Sequence, residues 1–217
     1  MAVSGPSSPP SFSFRHVRPS GLEGRERYQL LTSLIVPRPI GWISTWSEDG
    51  VANLAPYSFF NALSSSPMLV GVSVGRRRGE PKDTLRNIRR REAFCVNVVS
   101  EDLLEAMNLS SAEVDPEIDE FALTGLEAAP AREVDAPFVA RAPAVLECRL
   151  FQEVALGEAS SVLLIGEVEN VAVRSDLERV PGTVAVEPTA LKPVGRLGVD
   201  RYSLLREVRV LPRPPKP

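Results

Sequence analysis

The sequence predicts a mainly β protein, an antiparallel barrel of about six strands joined by turns and two or three short helices. Three observations lead there. Apolar runs of strand length recur at short intervals, with turn-forming residues such as Asp49-Gly50 between them. Late in the chain, Leu146, Cys148, Leu150 and Val154 alternate with Glu147, Arg149 and Glu153, the period of a half-buried strand. The sustained apolar alternation that would support a parallel α/β sheet is absent. At 217 residues the chain suits a single domain with a full core, and 43% hydrophobic with 24% charged residues is an ordinary globular composition.

Each element follows from local signals. Ser20 to Leu34 reads as a helix: Ser20 with Glu23 makes a capping-box pattern, and Tyr28, Leu31, Leu34 and Ile35 form an apolar face. Pro37 and Pro39 end it. Ile40 to Trp46 is a strand, Ser47 to Gly50 a reversing turn, and Val51 to Ala55 the returning strand. Met68 to Val74 is a third strand, followed by a basic, glycine-containing loop from Gly75 to Pro81. A short helix runs from Asp83 to about Arg90, with Leu85 and Ile88 inward, and Phe94 to Val99 is the next strand. Ser100 is placed to cap a helix through Asn108. The acidic, proline-interrupted stretch from Ser110 to Pro143 is expected to be a surface excursion or a lid. Two long strands, Leu146 to Val154 and Val162 to Val173, complete the set around a turn at Gly157 to Ser160. Residues 1–20 are expected to be a disordered lead-in, 21–210 the domain, and 211–217 a proline-rich tail.

Composition removes several classes of function. A formal net charge of −3 argues against wholesale binding of nucleic acid or of an anionic membrane. No apolar run approaches the roughly 20 residues of a membrane span. Cys95 and Cys148 sit in strand-like runs and His16 is the one histidine, too few soft ligands for zinc. Buried free thiols in a reducing, cytoplasmic setting are expected. The Ser/Pro-rich N-terminus lacks the apolar core of a secretion signal.

The residues that could carry chemistry gather between Asn53 and Asn87. Lys82-Asp83-Thr84 opens a helix, where unpaired N–H groups and the helix dipole favour an anion; the cation and hydroxyl add to that. The plainer reading, an Asp83 cap beside a solvated Lys82, is the commoner situation on spacing alone. Asn53 to Asn61 offers Ser58 and Asn61 as short polar arms. Tyr57, Phe59 and Phe60 there offer flat apolar faces, which would suit a ring with polar edges or simply an aromatic core corner. Ala55-Pro56 should interrupt the strand ladder there and release backbone groups. Thr45 and Arg38 could supply a further hydroxyl and guanidinium, although Arg38 is more often a surface residue in such a context. The carboxylates from Asp115 to Glu120 read as a solvated acidic surface. No Ser/His/Asp arrangement can be built around His16, and no side chain is nominated as an acid or base.

Several of these motifs together resemble one family. Val36-Pro37-Arg38-Pro39-Ile40-Gly41-Trp42-Ile43-Ser44-Thr45, Asn53-Leu54-Ala55-Pro56-Tyr57-Ser58-Phe59-Phe60-Asn61 and Lys82-Asp83-Thr84-Leu85-Arg86-Asn87 are similar to the flavin reductase-like, FMN-binding split-barrel family. The likeness continues through Phe94 to Val99, Leu146 to Cys148 and Pro193 to Gly198. It implies a six-stranded Greek-key split barrel, a homodimer with FMN near the subunit interface, and hydride transfer from NAD(P)H to FMN and on to an unidentified acceptor, with a partner oxygenase left open. It further implies Lys82, Asp83 and Thr84 near the phosphate, assisted by Thr45 and Arg38. Ser58, Asn61 and backbone around Tyr57 and Phe59 would meet the ribityl chain and ring edge, and Asn53 would brace that loop or touch the flavin. Dedicated NAD(P)H-using members often carry Gly-Asp-His where this chain has Gly157-Glu158-Ala159, so an FMN-binding protein without efficient reductase activity is the alternative. A related barrel holding pyridoxal phosphate or haem is a further one, haem being disfavoured by the single histidine.

Overall fold

The computed structural model describes residues 12–77, 79–157 and 161–215. In chain order these form α1 (Gly24–Leu34), β1 (Arg38–Pro39), β2 (Gly41–Trp46), β3 (Ala52–Tyr57), β4 (Phe60–Ser65), β5 (Met68–Arg77) and β6 (Glu80–Pro81). There follow α2 (Asp83–Arg91), β7 (Ala93–Asn97), α3 (Leu104–Leu109), α4 (Glu120–Thr124), β8 (Ala128–Pro130) and β9 (Pro137–Val139). The chain closes with β10 (Ala144–Leu156), β11 (Ser161–Val173), α5 (Pro188–Leu191), β12 (Val194–Arg196) and β13 (Tyr202–Leu204).

The main sheet is antiparallel throughout, ordered β3-β2-β7-β10-β11-β5-β4, with β6 paired to β5. It therefore has eight strands where six are expected. The six expected strands are all present, and the additions are β4 and β6. β4 carries no period-2 signal because it lies largely exposed at the sheet edge. Tyr57 of β3 shares one buried cluster with Val70, Val72 and Val74 of β5, although four strands separate them in the sheet, so the sheet curls back on itself. Pro56 does not break the ladder: it pairs with Trp42, which is tolerable because β3 is an edge strand whose outer side needs no donor.

Alternation along β2 and β7 explains the two cores. Trp42 and Cys95 face a cluster that also holds Leu54, Met107, Phe121 and Val139, while Ile43, Phe94 and Val96 face the barrel interior. Leu85 and Ile88 of α2 drop into that interior cluster, which fixes where the helix begins. Gly166 of β11 is there for space: a Cβ would lie 2.4 Å from Phe94 Cζ.

Several local expectations are corrected. α1 starts at Gly24, and its capping box is Glu23 with Glu26; Pro19–Gly21 forms a separate 3₁₀ turn. Its apolar face is not buried. Tyr28 is 55% and Leu34 72% exposed, and only Thr32 is buried. Ser100 caps no helix with its side chain; its hydroxyl donates to Asp102 Oδ1 at 2.5 Å. The stretch 110–143 is no mere excursion, since Phe121, Val134, Ala136, Val139 and Ala142 are core residues. The lead-in 1–11, most of the turn at 157–160 and the last two residues lie outside the described residues.

Candidate functional site

The start of α2 faces β3 across a cavity of about 220 Å³. Asn53, Ala55, Pro56 and Tyr57 form one wall, Lys82, Asp83 and Thr84 another, and Ser110–Val114 with Glu120 the third. Lys82 is the N-cap residue and makes no side-chain cap, while Asp83 is the first helical residue and pairs with Arg86. The first N–H groups of α2 thus gain no cap from the helix's own sequence, as an anion site requires. The Lys82 ammonium lies 5.6 Å from the centre of the Tyr57 ring. Burial pushes the Tyr57 phenol well above its usual range.

Behind that wall lies a buried polar network. Thr84 donates its hydroxyl to Asn53 Oδ1 at 2.9 Å, and Thr45 donates to the same oxygen at 3.3 Å. Thr45 in turn accepts from Asn87 Nδ2 at 3.0 Å. Asn53 Nδ2 donates to Glu120 Oε1 at 2.9 Å, and the Leu54 backbone N–H donates to Glu120 Oε2 at 3.1 Å. β2, β3, α2 and α4 are therefore joined through one amide. Glu120 is only 7% exposed, so it is not part of a solvated acidic surface. Burial pushes its carboxyl up to about 7, against the lowering effect of these hydrogen bonds and with help from the Asp83 charge.

A second cavity of about 180 Å³ adjoins the first through Pro56 and Ser111, and is lined also by Tyr28, Ser58, Met107, Arg196 and Tyr202. The Arg196 guanidinium stacks on Tyr202, 4.6 Å from the ring centre, and Tyr202 donates its hydroxyl to Asn108 Oδ1. Two adjoining cavities, one polar with a lysine and a helix start on its wall, the other walled by flat side chains, have the chemistry for a phosphorylated ligand with a planar ring.

The expected site residues separate into groups. Asn53, Tyr57, Lys82, Asp83 and Thr84 meet at the first cavity, and Ser58 lines the second. Thr45 is fully buried and reaches the cavity through Asn53. Arg38 is buried, not on the surface: it donates to Thr32 O, Ile35 O and Leu197 O at 2.6, 2.8 and 3.1 Å, and to Ser58 Oγ at 3.4 Å. Its guanidinium closes the end of α1 and lies below its usual pKa through desolvation. Phe59 and Asn61 turn away to a mainly apolar cavity of about 380 Å³ beside Leu31, Ile35 and Leu63. Glu120, Asn87 and the serines at 110–111 were not among the expected residues. The signal for Glu120 is its place between Ile118 and Phe121, directly after the Asp119 cap.

A curled antiparallel barrel with a cavity at the start of a half-buried helix is the split-barrel class of fold. The chain belongs to the family described as flavin reductase like domain, whose profile matches residues 33–186. It is 38% identical over 203 residues to an uncharacterized protein of Halalkalibacterium halodurans, covering 91% of this chain and 96% of that one. Nitrilotriacetate monooxygenase component B from Bacillus cereus superposes with a TM-score of 0.88 at 34% identity, covering 93% of this chain and all of that one. The 2-nitrobenzoate 2-nitroreductase of Pseudomonas fluorescens gives 0.83 at 31% identity, with 92% and 96% covered. Among the described residues no helix is long and apolar enough to cross a membrane.

Proposed function

We propose that the protein is an FMN-dependent oxidoreductase that takes a hydride from NAD(P)H and passes electrons to an acceptor, either a small molecule or an oxygenase component. The observation that carries this is the meeting of Lys82, Thr84 and the uncapped start of α2 with β3 at one cavity, continuous with a second cavity walled by Tyr28, Met107 and Tyr202. The donor set fits FMN: one ammonium and free helix N–H groups for the phosphate, backbone and Ser58 for the polar chain, and flat side chains for the ring. Bound FMN would supply the two-electron chemistry; the chain binds and orients it. Relatives whose names describe a monooxygenase component and a nitroreductase support a redox role.

The exposed apolar side of α1, next to the cavity holding Phe59, supports a homodimer in which a second copy covers that face. Light scattering would give twice the monomer mass; a monomer would exclude this part of the reading. The purified protein should be yellow. Anaerobic mixing with NADH or NADPH should bleach the flavin within the turnover time, and protein that binds no FMN would refute the proposal. A second reading, FMN binding without efficient use of NAD(P)H, is favoured by one sequence fact: His16, exposed and far along the chain from 157–161, is the single histidine. Slow bleaching by both nucleotides would select it.

A further inference from the structure

We infer that Glu120 is a positioning residue that sets the proton order of the Asn53–Thr84 pair, so that binding a phosphate at the start of α2 takes up a proton onto Glu120. This rests on the reading of the cavity as an FMN phosphate site.

In the structure Glu120 accepts twice, from Asn53 Nδ2 and from the Leu54 N–H. With its N–H₂ turned to the carboxylate, Asn53 can offer only Oδ1 to the other side. Thr84 and Thr45 must then donate to it. The Thr84 proton therefore points away from the cavity, and the oxygen left on the cavity side has lone pairs only. That is the wrong polarity for a phosphate dianion.

Protonation of Glu120 permits the opposite order through a turn of the Asn53 amide alone, with the surrounding side chains in place. Oε2 still accepts from Leu54. Oε1–H donates to the Asn53 oxygen once the amide turns over, and the amide N–H₂ donates to Thr84. The Thr84 hydroxyl proton is then released toward the cavity, where a ligand oxygen competes with the neighbouring Tyr57 hydroxyl to accept it. One proton comes from solvent onto Oε1; Thr45 gives up its long bond to Asn53 Oδ1 and faces the second amide hydrogen instead, while still accepting from Asn87. The charges around the cavity act both ways: cations favour the charged carboxylate and carboxylates oppose it. Lys82 and the helix N-terminus are the positive elements, whereas Asp83 of α2 and Glu113 of the 110–114 segment are carboxylates on the same cavity, beside the buried Tyr57 phenol. A dianion arriving among them favours neutral Glu120. The raised carboxyl pKa, about 7, puts the event in an accessible range.

The test compares FMN and riboflavin binding to the wild type and Glu120→Gln over roughly pH 7 to 9, where a phosphate monoester is already dianionic. The glutamine in that variant can donate from Nε2 to Asn53 and accept from Leu54 through Oε1, which imitates the protonated acid. FMN affinity of the wild type should fall by up to about tenfold per pH unit. Titration calorimetry in buffers of different ionisation enthalpy should show uptake of up to one proton. Glu120→Gln should bind FMN with no such slope, and riboflavin binding should be flat in both. A flat wild-type profile with no proton uptake, or an unchanged slope in Glu120→Gln, would overturn the inference while leaving FMN binding intact. Failure of both proteins to bind either flavin at any pH would overturn the site reading, and this inference with it. The calorimetric arm uses the wild type alone and stands even where the variant does not fold.

Discussion

Replacing Asn53 with alanine is the most direct test of whether the network holds the site together. The amide is 7% exposed and satisfies three groups: Glu120 Oε1 at 2.9 Å, Thr84 Oγ1 at 2.9 Å and Thr45 Oγ1 at 3.3 Å. A buried polar group left without its partner costs about 1–3 kcal/mol, more where it is charged. Glu120 keeps its bond from Leu54, and Thr84 borders a cavity that can admit water, so these two fall toward the lower end. Thr45 is fully enclosed. The sum is about 3–5 kcal/mol, a large share of the stability of an ordinary domain. Urea unfolding should show a lower midpoint at unchanged slope. A double-mutant cycle with Thr84→Val should return a coupling of roughly 1 kcal/mol, since the two side chains share a hydrogen bond. A loss below about 1 kcal/mol, or no coupling, would mean that water replaces the amide at little cost and that the network does not position α2 against β3.

Other outcomes follow from the same geometry. The Glu120 carboxyl lies at about 7 against an ordinary 4.5, so between those values the folded state binds more protons than the unfolded. Its stabilising contribution is complete below the unfolded value and disappears as pH rises through 7, a change of about 3 kcal/mol that Glu120→Gln should remove from a stability-versus-pH curve. Lys82→Ala should weaken FMN binding about tenfold or more while leaving riboflavin binding unchanged, as fluorescence titration would show. Arg38→Ala uncaps one buried and two partly buried carbonyls and should cost roughly 2–4 kcal/mol in thermal unfolding, with Arg38→Lys recovering only part. Gly166→Ala drives a methyl into Phe94 and should destabilise by about 1–3 kcal/mol, with relief from the added change Phe94→Leu.

What was legible in the sequence was whatever local spacing determines. The longer strands of the main sheet that are buried on at least one face announced themselves by period or by apolar runs; β4 did not because its side chains lie mostly in solvent, and three-residue β9 did not because it is too short to show a period. The helix at Asp83 was readable from the apolar pair Leu85 and Ile88. The α1 stripe was equally readable, but a stripe says that a face is apolar, not that this same chain covers it. The site was legible where cavity wall and motif coincide, as at Lys82–Thr84 and Asn53–Tyr57. It was illegible where a side chain's partner is distant. Arg38 is buried because Leu197, 159 residues away, supplies a carbonyl, and Glu120 is buried because Asn53, 67 residues away, supplies an amide. Neither pairing leaves a trace in local composition.

A buried carboxylate behind an anion site looks self-defeating, because it repels the ligand and costs desolvation. The geometry gives it a purpose in the absence of ligand. The α2 N-terminus and Lys82 are the positive elements on the cavity wall, and Lys82, the N-cap residue, makes no side-chain cap there. Asp83 answers with an ion pair to Arg86, directed along the helix exterior. Glu120 answers from inside, and it does so by holding strand β3 through Leu54 and the amide of Asn53. Replaced by an apolar residue, it would leave Asn53 Nδ2 and the Leu54 N–H buried without acceptors, and α4 without its polar tether to the barrel. A carboxylate that can accept a proton resolves the conflict: charged, it balances and braces the empty groove, and neutral, it keeps the brace while withdrawing the repulsion. A permanently charged group in its place would brace the groove equally well and oppose the phosphate at every pH.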